Sequence, residues 1–168
     1  MSYEFYITIE GVAQNKFKGE SLITAHAEKI TGLSYSHEIT APRDIATGLP
    51  SGKRQHFPIR IVKEWGPASP QIMAALCTNE LLKRVFFEFY HTTKEGKMEC
   101  YYTIELNDAT ISGVKYMTGT GTSANSSKHT EQWDTLELEE VSFTYQKITA
   151  SNVIASTQAV DSWIAQNA

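Results

Sequence analysis

The sequence predicts a mainly β protein: a compact β-barrel of two curled antiparallel sheets, with one short α-helix and a long extended loop. Three observations lead there. Apolar and polar residues alternate with a period of two along most of the chain, the pattern of half-buried strands. Two long runs change the parity of their apolar positions midway, as a β-bulge makes a strand do, and bent strands suit a curled barrel better than a flat sheet. A single stretch combines helical spacing with a helix-start signal.

In chain order, the first run places Tyr3, Phe5, Ile7 and Ile9 on one face and Glu4, Tyr6, Thr8 and Glu10 on the other. Over 22–39, Ile30 is on the even face but Leu33 and Tyr35 are on the odd face, with Gly32 between. Ser34 and Ser36 alternate with Leu33 and Tyr35, so they face away from the barrel interior. Residues 40–56 have no period and form the long loop. Phe57, Ile59 and Ile61 then share a face, and Pro58, lacking an N–H, belongs at an edge or a strand start. Ser69 is a good N-cap and Pro70 suits the first helical position. Ile72, Met73, Leu76 and Leu81 follow at helical spacing, giving a helix over about 70–78 that plugs one barrel end, with Met73 and Cys77 in the core.

Residues 83–92 are apolar on nearly both faces, as in a central or interface strand. The turn Lys94-Glu95-Gly96 leads into 98–106, where Met98, Cys100, Tyr102, Ile104 and Leu106 share a face, so the two runs form a hairpin. Asn107-Asp108 reads as a second turn, with 109–118 as the next strand. Residues 119–131, which include Gly119 and Gly121, are small and polar and read as a mobile loop. In 132–148, Leu136 and Leu138 are even while Val141, Phe143 and Tyr145 are odd. Residues 149–168 carry Val153, Ile154, Val160, Trp163 and Ile164 without a clean period, so the expected organisation is one domain over 1–148 and a C-terminal tail over 149–168.

A chain of 168 residues fits one core. At this size folding buries roughly 70% of the surface of the unfolded chain, so no metal or disulfide framework is needed. The net charge of −4 and pI near 5.7 are opposite to those of most nucleic-acid binders. The one basic cluster is modest: Lys53, Arg54, Arg60 and Lys63. Cys77 and Cys100 form neither a disulfide scaffold nor a zinc spacing and read as small buried thiols. The N-terminus lacks a basic region followed by an apolar run, and no stretch approaches the ~18 apolar residues of a membrane span. The expectation is a protein made in the cytoplasm which, if exported, uses a route that reads no N-terminal signal.

No catalytic or cofactor motif survives inspection. GLPSGKR at 48–54 resembles a phosphate loop, but three residues instead of four separate Gly48 from Gly52. Arg54 also replaces the required hydroxyl, and a strand follows where a helix should start. His26, His37, His56, His91 and His129 form no metal-ligand spacing, and no nucleophile elbow occurs. Glu137, Glu139 and Glu140 read as a solvated strand face or as a patch meeting a basic partner. Three features exceed what folding needs: the long loop, the two-faced strand and the tail. They point to protein–protein contact and self-assembly. The competing reading is a ligand-binding β-barrel module with a mouth pocket lined by Tyr101, Tyr102 or Tyr116.

Several segments together resemble the Hcp family, tube-forming subunits of bacterial type VI secretion systems. They are HAEKITGLSYSHEI (26–39), SPQIMAALC (69–77), the hairpin region 86–113, LELEEVSFTYQKI (136–148) and DSW (161–163). The last strand, E-x-V-S-F-T-Y-x-K-I, is the most specific of them. The resemblance implies a small β-barrel with one helix and no enzymatic activity or cofactor. It implies homo-hexameric rings stacked into a hollow tube, and partners among sheath, spike and baseplate proteins. It also implies effector proteins in the lumen, with no nucleic acid and no membrane insertion. Such a protein would sit in the bacterial cytoplasm before firing and be secreted afterwards without a signal peptide. The loop at 40–56 would then contact a neighbouring subunit or ring through Arg43, Ile45, Leu49, Pro50, Lys53 and Arg54, with Glu137 or Glu139 as acidic counterparts. Ser36 matches a small polar position on the channel wall, and Ser34 lies on the same face.

Overall fold

A computed structural model describes residues 3–21, 24–118 and 137–163. The expected loop at 119–131, with Gly119 and Gly121, lies outside the described residues, as do His129, Leu136 and Ile164. The strands are β1 (Tyr3–Gly11), β2 (Asn15–Lys16), β3 (Ile30–Gly32), β4 (Ser34–Ser36), β5 (Ile39–Thr40) and β6 (Gln55–His56). They continue with β7 (Ile59–Glu64), β8 (Leu82–Thr92), β9 (Met98–Met117), β10 (Leu138–Thr144), β11 (Lys147–Asn152) and β12 (Thr157–Ser162). One α-helix, α1 (Ser69–Thr78), lies between β7 and β8. The chain is thus mainly β, with antiparallel pairing, as the alternation predicts.

The central order is β1-β8-β9-β10-β7, with β3 beyond β1 and β4 beyond β7. Residues 30–36 meet both ends of this order. Ile30 and Gly32 pair with β1, Ser34 and Ser36 pair with β7, and the Leu33 N–H bonds the Val62 carbonyl at 2.8 Å. The parity change at Gly32 therefore marks a strand that changes sheets. Ile30 is buried and Tyr35 packs against the same core.

β9 supplies the second bend. Its residues 98–109 pair with β8 and its residues 110–117 pair with β10. The expected turn at Asn107-Asp108 is not a reversal: Asp108 adopts φ 50° and the 20-residue strand runs on. Aspartate tolerates this left-handed conformation, and partner strands hold the backbone on either side of the kink. The β8–β9 hairpin closes as expected, with Thr92 opposite Met98 and Gly96 at φ +80°. β8 lies between β1 and β9, so both its edges are paired, while its Val85 and Phe87 face is buried and its Phe86 face is only partly covered.

The expected tail is largely sheet. β11 pairs with β9 from Lys147↔Asn107 to Asn152↔Tyr102, and β12 folds back on β11. Its apolar residues show no period because neither face of β12 is buried: Val160 remains 55% exposed, and Val153 and Ile154 sit in the turn.

The helix begins one residue before the expected start. Ala68 is the N-cap, without a side-chain bond, while Ser69 Oγ accepts the Gly66 N–H and donates to Glu139. Ile72 and Ala75 are the buried positions. Met73 and Cys77, expected in the core, are exposed, because a short helix buries a narrow stripe and these two lie beside it. Leu81 is exposed as well.

The parity change expected in the last long strand has another cause. Glu139, Val141, Phe143 and Tyr145 are all buried and keep one parity, whereas Leu138 has the other parity, and its backbone carbonyl accepts the Trp65 Nε1–H. The break in the pattern is Glu139 itself, a carboxylate on the core side. Lys63 Nζ donates to it at 2.8 Å, and both side chains are 0% exposed. Glu139 thus belongs to no solvated acidic face, and Lys63 to no surface basic cluster. Burial pushes the neighbouring Glu20 carboxyl above its ordinary range, against the pull of Lys63.

Candidate functional site

Residues 41–54 leave the body between β5 and β6, which pair as Ile39↔His56 and Thr40↔Gln55. The segment is a ribbon with its own hydrogen bonds. Asp44 N donates to the Leu49 carbonyl at 2.8 Å, Ser51 N donates to Pro42 at 3.0 Å, and Arg43 bridges Pro50. At the tip, Asp44 Oδ1 accepts the Ala46 N–H and the Asp44 carbonyl accepts the Gly48 N–H. Gly48, at φ +71°, supplies a conformation that a side chain would strain. Arg43, Ile45, Leu49, Pro50 and Lys53 are all exposed on this arm, and Ile45 is as exposed (104%) as in an isolated chain. An apolar tip held in water has no folding role in its own subunit.

Arg54, placed by the sequence with the arm's contact residues, is instead part of the root. Its guanidinium grips Asp161 with both Nε and Nη2, and Nη2 also reaches the Ser162 carbonyl at 3.2 Å. His56 Nε2 lies 2.8 Å from the same carboxylate. A carboxylate only accepts, so Nε2 carries a proton, and in the neutral ring Nδ1 then accepts the Tyr145 hydroxyl at 2.7 Å. The Tyr145 oxygen then accepts from His37 Nε2 at 2.8 Å. The donors run in one direction, His37 to Tyr145 to His56 to Asp161, and Trp163 stacks on the His56 ring at 5.6 Å.

The electrostatics follow. The Arg54 hydrogen bond, with that of His56, holds the Asp161 carboxyl below its usual range. Burial, and secondarily the Asp161 charge, pushes the Tyr145 hydroxyl up. Burial and then the facing His56 push His37 down, toward the neutral ring. The network fastens both strands of the arm's root to β12 and to the end of β10. Sequence reasoning missed it. The one available signal was that His37 and His56 flank the loop on either side.

Ser34 and Ser36 stand on β4 opposite Val62 and Arg60 of β7, while Tyr35 between them packs inward. The alternation about Tyr35 thus turns both serines to the outer face of that sheet. Of the two acidic counterparts, Glu137 is exposed and Glu139 is sealed in the core. The three tyrosines of the competing reading do not converge. Tyr101 stacks on His91 at 4.7 Å, Tyr102 packs edge-on to Phe89, and Tyr116 meets Trp65 in the other sheet.

One apolar concavity lies at the far end of β7. Trp65, Gly66, Ser69, Pro70, Met73 and Tyr116 enclose about 620 Å³, and Trp65, Met73 and Tyr116 are between 39% and 49% exposed. Glu137 borders it, its carbonyl accepting the Trp65 N–H at 3.1 Å. Among the described residues no group of three or more His, Cys, Asp or Glu is placed to hold a metal, and no helix is long and apolar enough to cross a membrane.

These surfaces can be set beside known proteins. The chain is 35% identical over 146 residues to the major exported protein of Pseudomonas aeruginosa, covering 86% of this chain and 81% of that one. Its fold matches a crystal structure of an Hcp protein, with TM-score 0.84 and 28% identity over 98% of this chain and all of that one. It also matches the secreted protein Hcp3 from Pseudomonas aeruginosa, with TM-score 0.77 and 27% identity over 98% of this chain and all of that one. The family model described as type VI secretion system effector, Hcp, matches residues 6–151. With a fold and a sequence that both match, and a model that spans most of its length, this chain belongs to the Hcp family of type VI secretion proteins, a structural family and not one of enzymes.

Proposed function

We propose that this protein is the subunit of an exported tube: six copies form a ring, rings stack through the 41–54 arm, and effector proteins travel in the lumen. The observation that carries this reading is the arm, a hydrogen-bonded ribbon with an apolar, basic end, braced at its root by a partly buried network. Membership of a type VI secretion family and likeness to an exported protein support export. The partners are then further copies of the chain, the sheath, spike and baseplate of the apparatus, and the cargo. Nucleic acid and membrane insertion have no part in it.

Deleting 44–53 removes the tip and leaves the root. Light scattering and negative-stain images are expected to show folded rings that no longer stack. Tubes of ordinary length from the shortened chain would defeat the arm's role.

Ser34 and Ser36 face outward from β4, and we place them on the channel wall. Ser36→Gln adds bulk to an exposed position without touching the core, so the ring should keep its melting temperature and retain less cargo. Cargo retention equal to wild type would move these serines off the wall.

A further inference from the structure

We infer that the arm tip of one copy seats in the Trp65–Met73–Tyr116 groove of a second copy, with Glu137 receiving the arm's cations. The inference rests on the stacking reading and names the surface that receives the arm.

Four observations carry it. First, the chain exposes an apolar knob, Ile45 and Leu49, and an apolar hollow large enough for two aliphatic side chains. Among the described residues nothing covers either, and burying such surface is the main favourable term in association. Second, they lie at opposite ends of one strand. The arm's root ends at His56, just before β7 starts at Ile59, and the groove begins at Trp65, just after β7 ends at Glu64. Six extended residues separate the ends by roughly 20 Å.

Third, the two surfaces differ, so their contact is head-to-tail. Each added copy presents a fresh groove or a fresh tip, which is what open-ended stacking requires. Fourth, the charges match. Arg43 and Lys53 are exposed on the arm, and Glu137 is exposed beside Trp65. Complementary charge of this kind sets register. Glu139, the other acidic candidate, is excluded by its burial against Lys63.

The chain carries its own reporter. Cys77 is exposed on α1, four residues and one helical turn from Met73, so it stands at the end of the groove. In the Ile45→Cys protein, mild oxidation of assembled material should give a ladder of covalent species extending past the dimer, because every copy holds one donor and one acceptor. The ladder should vanish in Ile45→Cys/Cys77→Ser, which retains Cys100. As an independent variant, Met73→Lys puts a charge in an exposed position of the groove. It should leave rings intact and raise the concentration needed for stacking about tenfold or more.

A ladder that ignores Cys77, or no ladder, overturns the assignment, whether another part of the chain or a different protein fills the groove. So does unchanged stacking by Met73→Lys. If the wild-type protein forms stacked rings and these tests fail, the groove falls and the tube reading stands. If the wild-type protein forms no rings, both fall.

Discussion

Replacing Lys63 by methionine is expected to lower the free energy of unfolding by about 3–5 kcal/mol, the usual consequence of stranding one member of a buried ion pair. The partner left behind is Glu139, fully buried, whose Oε2 has no hydrogen-bond partner among the described residues even with the lysine present. Lys63 also faces Glu20 at 3.8 Å and donates to the Glu64 carbonyl at 2.6 Å, so several acceptors lose their cation together. The double variant Lys63→Met/Glu139→Leu removes charge from both sides and should recover most of the loss, since an apolar pair of similar volume often equals a buried ion pair. Urea denaturation of the two variants measures both effects. A single variant within about 1 kcal/mol of wild type would mean that the pair is not sealed from water.

The second large effect is expected at Tyr145. Tyr145→Phe keeps the ring packing on Trp163 but removes the hydroxyl between His37 and His56. Leaving buried polar groups without partners costs about 1–3 kcal/mol. The loss should be local. Amide exchange should speed up at the arm's root, around 37–40 and 54–57, while β8 in the sheet centre keeps its protection. Stacking should weaken with the rings intact, because a loosened root no longer aims the tip. Uniform loss of protection along the chain would show instead that the network holds the whole fold, with no special hold on the arm.

Much of this protein was legible in its sequence. Alternation at Phe5, Ile7 and Ile9 located a core face correctly, because a strand with one buried side must repeat its apolar residues every second position. Lys94-Glu95-Gly96 located the β8–β9 turn, and Pro70 located the helix within one residue. The loop at 40–56 stood out because it had composition without period. These are local signals, and each depends on residues only a few positions apart.

The misreadings share a different character. Glu139 broke the expected parity because its partner is Lys63, 76 positions away, and nothing in the strand's own pattern names that lysine. The Asn107-Asp108 pair has turn chemistry, yet β8, β10 and β11 hold the backbone on course through it. The tail lacked periodicity because β12 buries neither of its faces, so nothing selects apolar residues at alternate positions. His56 and Asp161 meet across 105 positions, and His37 and Tyr145 across 108.

By itself, then, the sequence determined the β class, the place of the helix and hairpin, the family likeness and the presence of an arm, since each follows from local steric preference and the spacing of apolar residues. The tertiary structure alone decided what anchors the arm, which of Glu137 and Glu139 is exposed, and where an apolar hollow opens at the other end of the same strand. Those depend on contacts between distant segments, and in a chain this short the energy of one buried hydrogen bond or ion pair is enough to settle them.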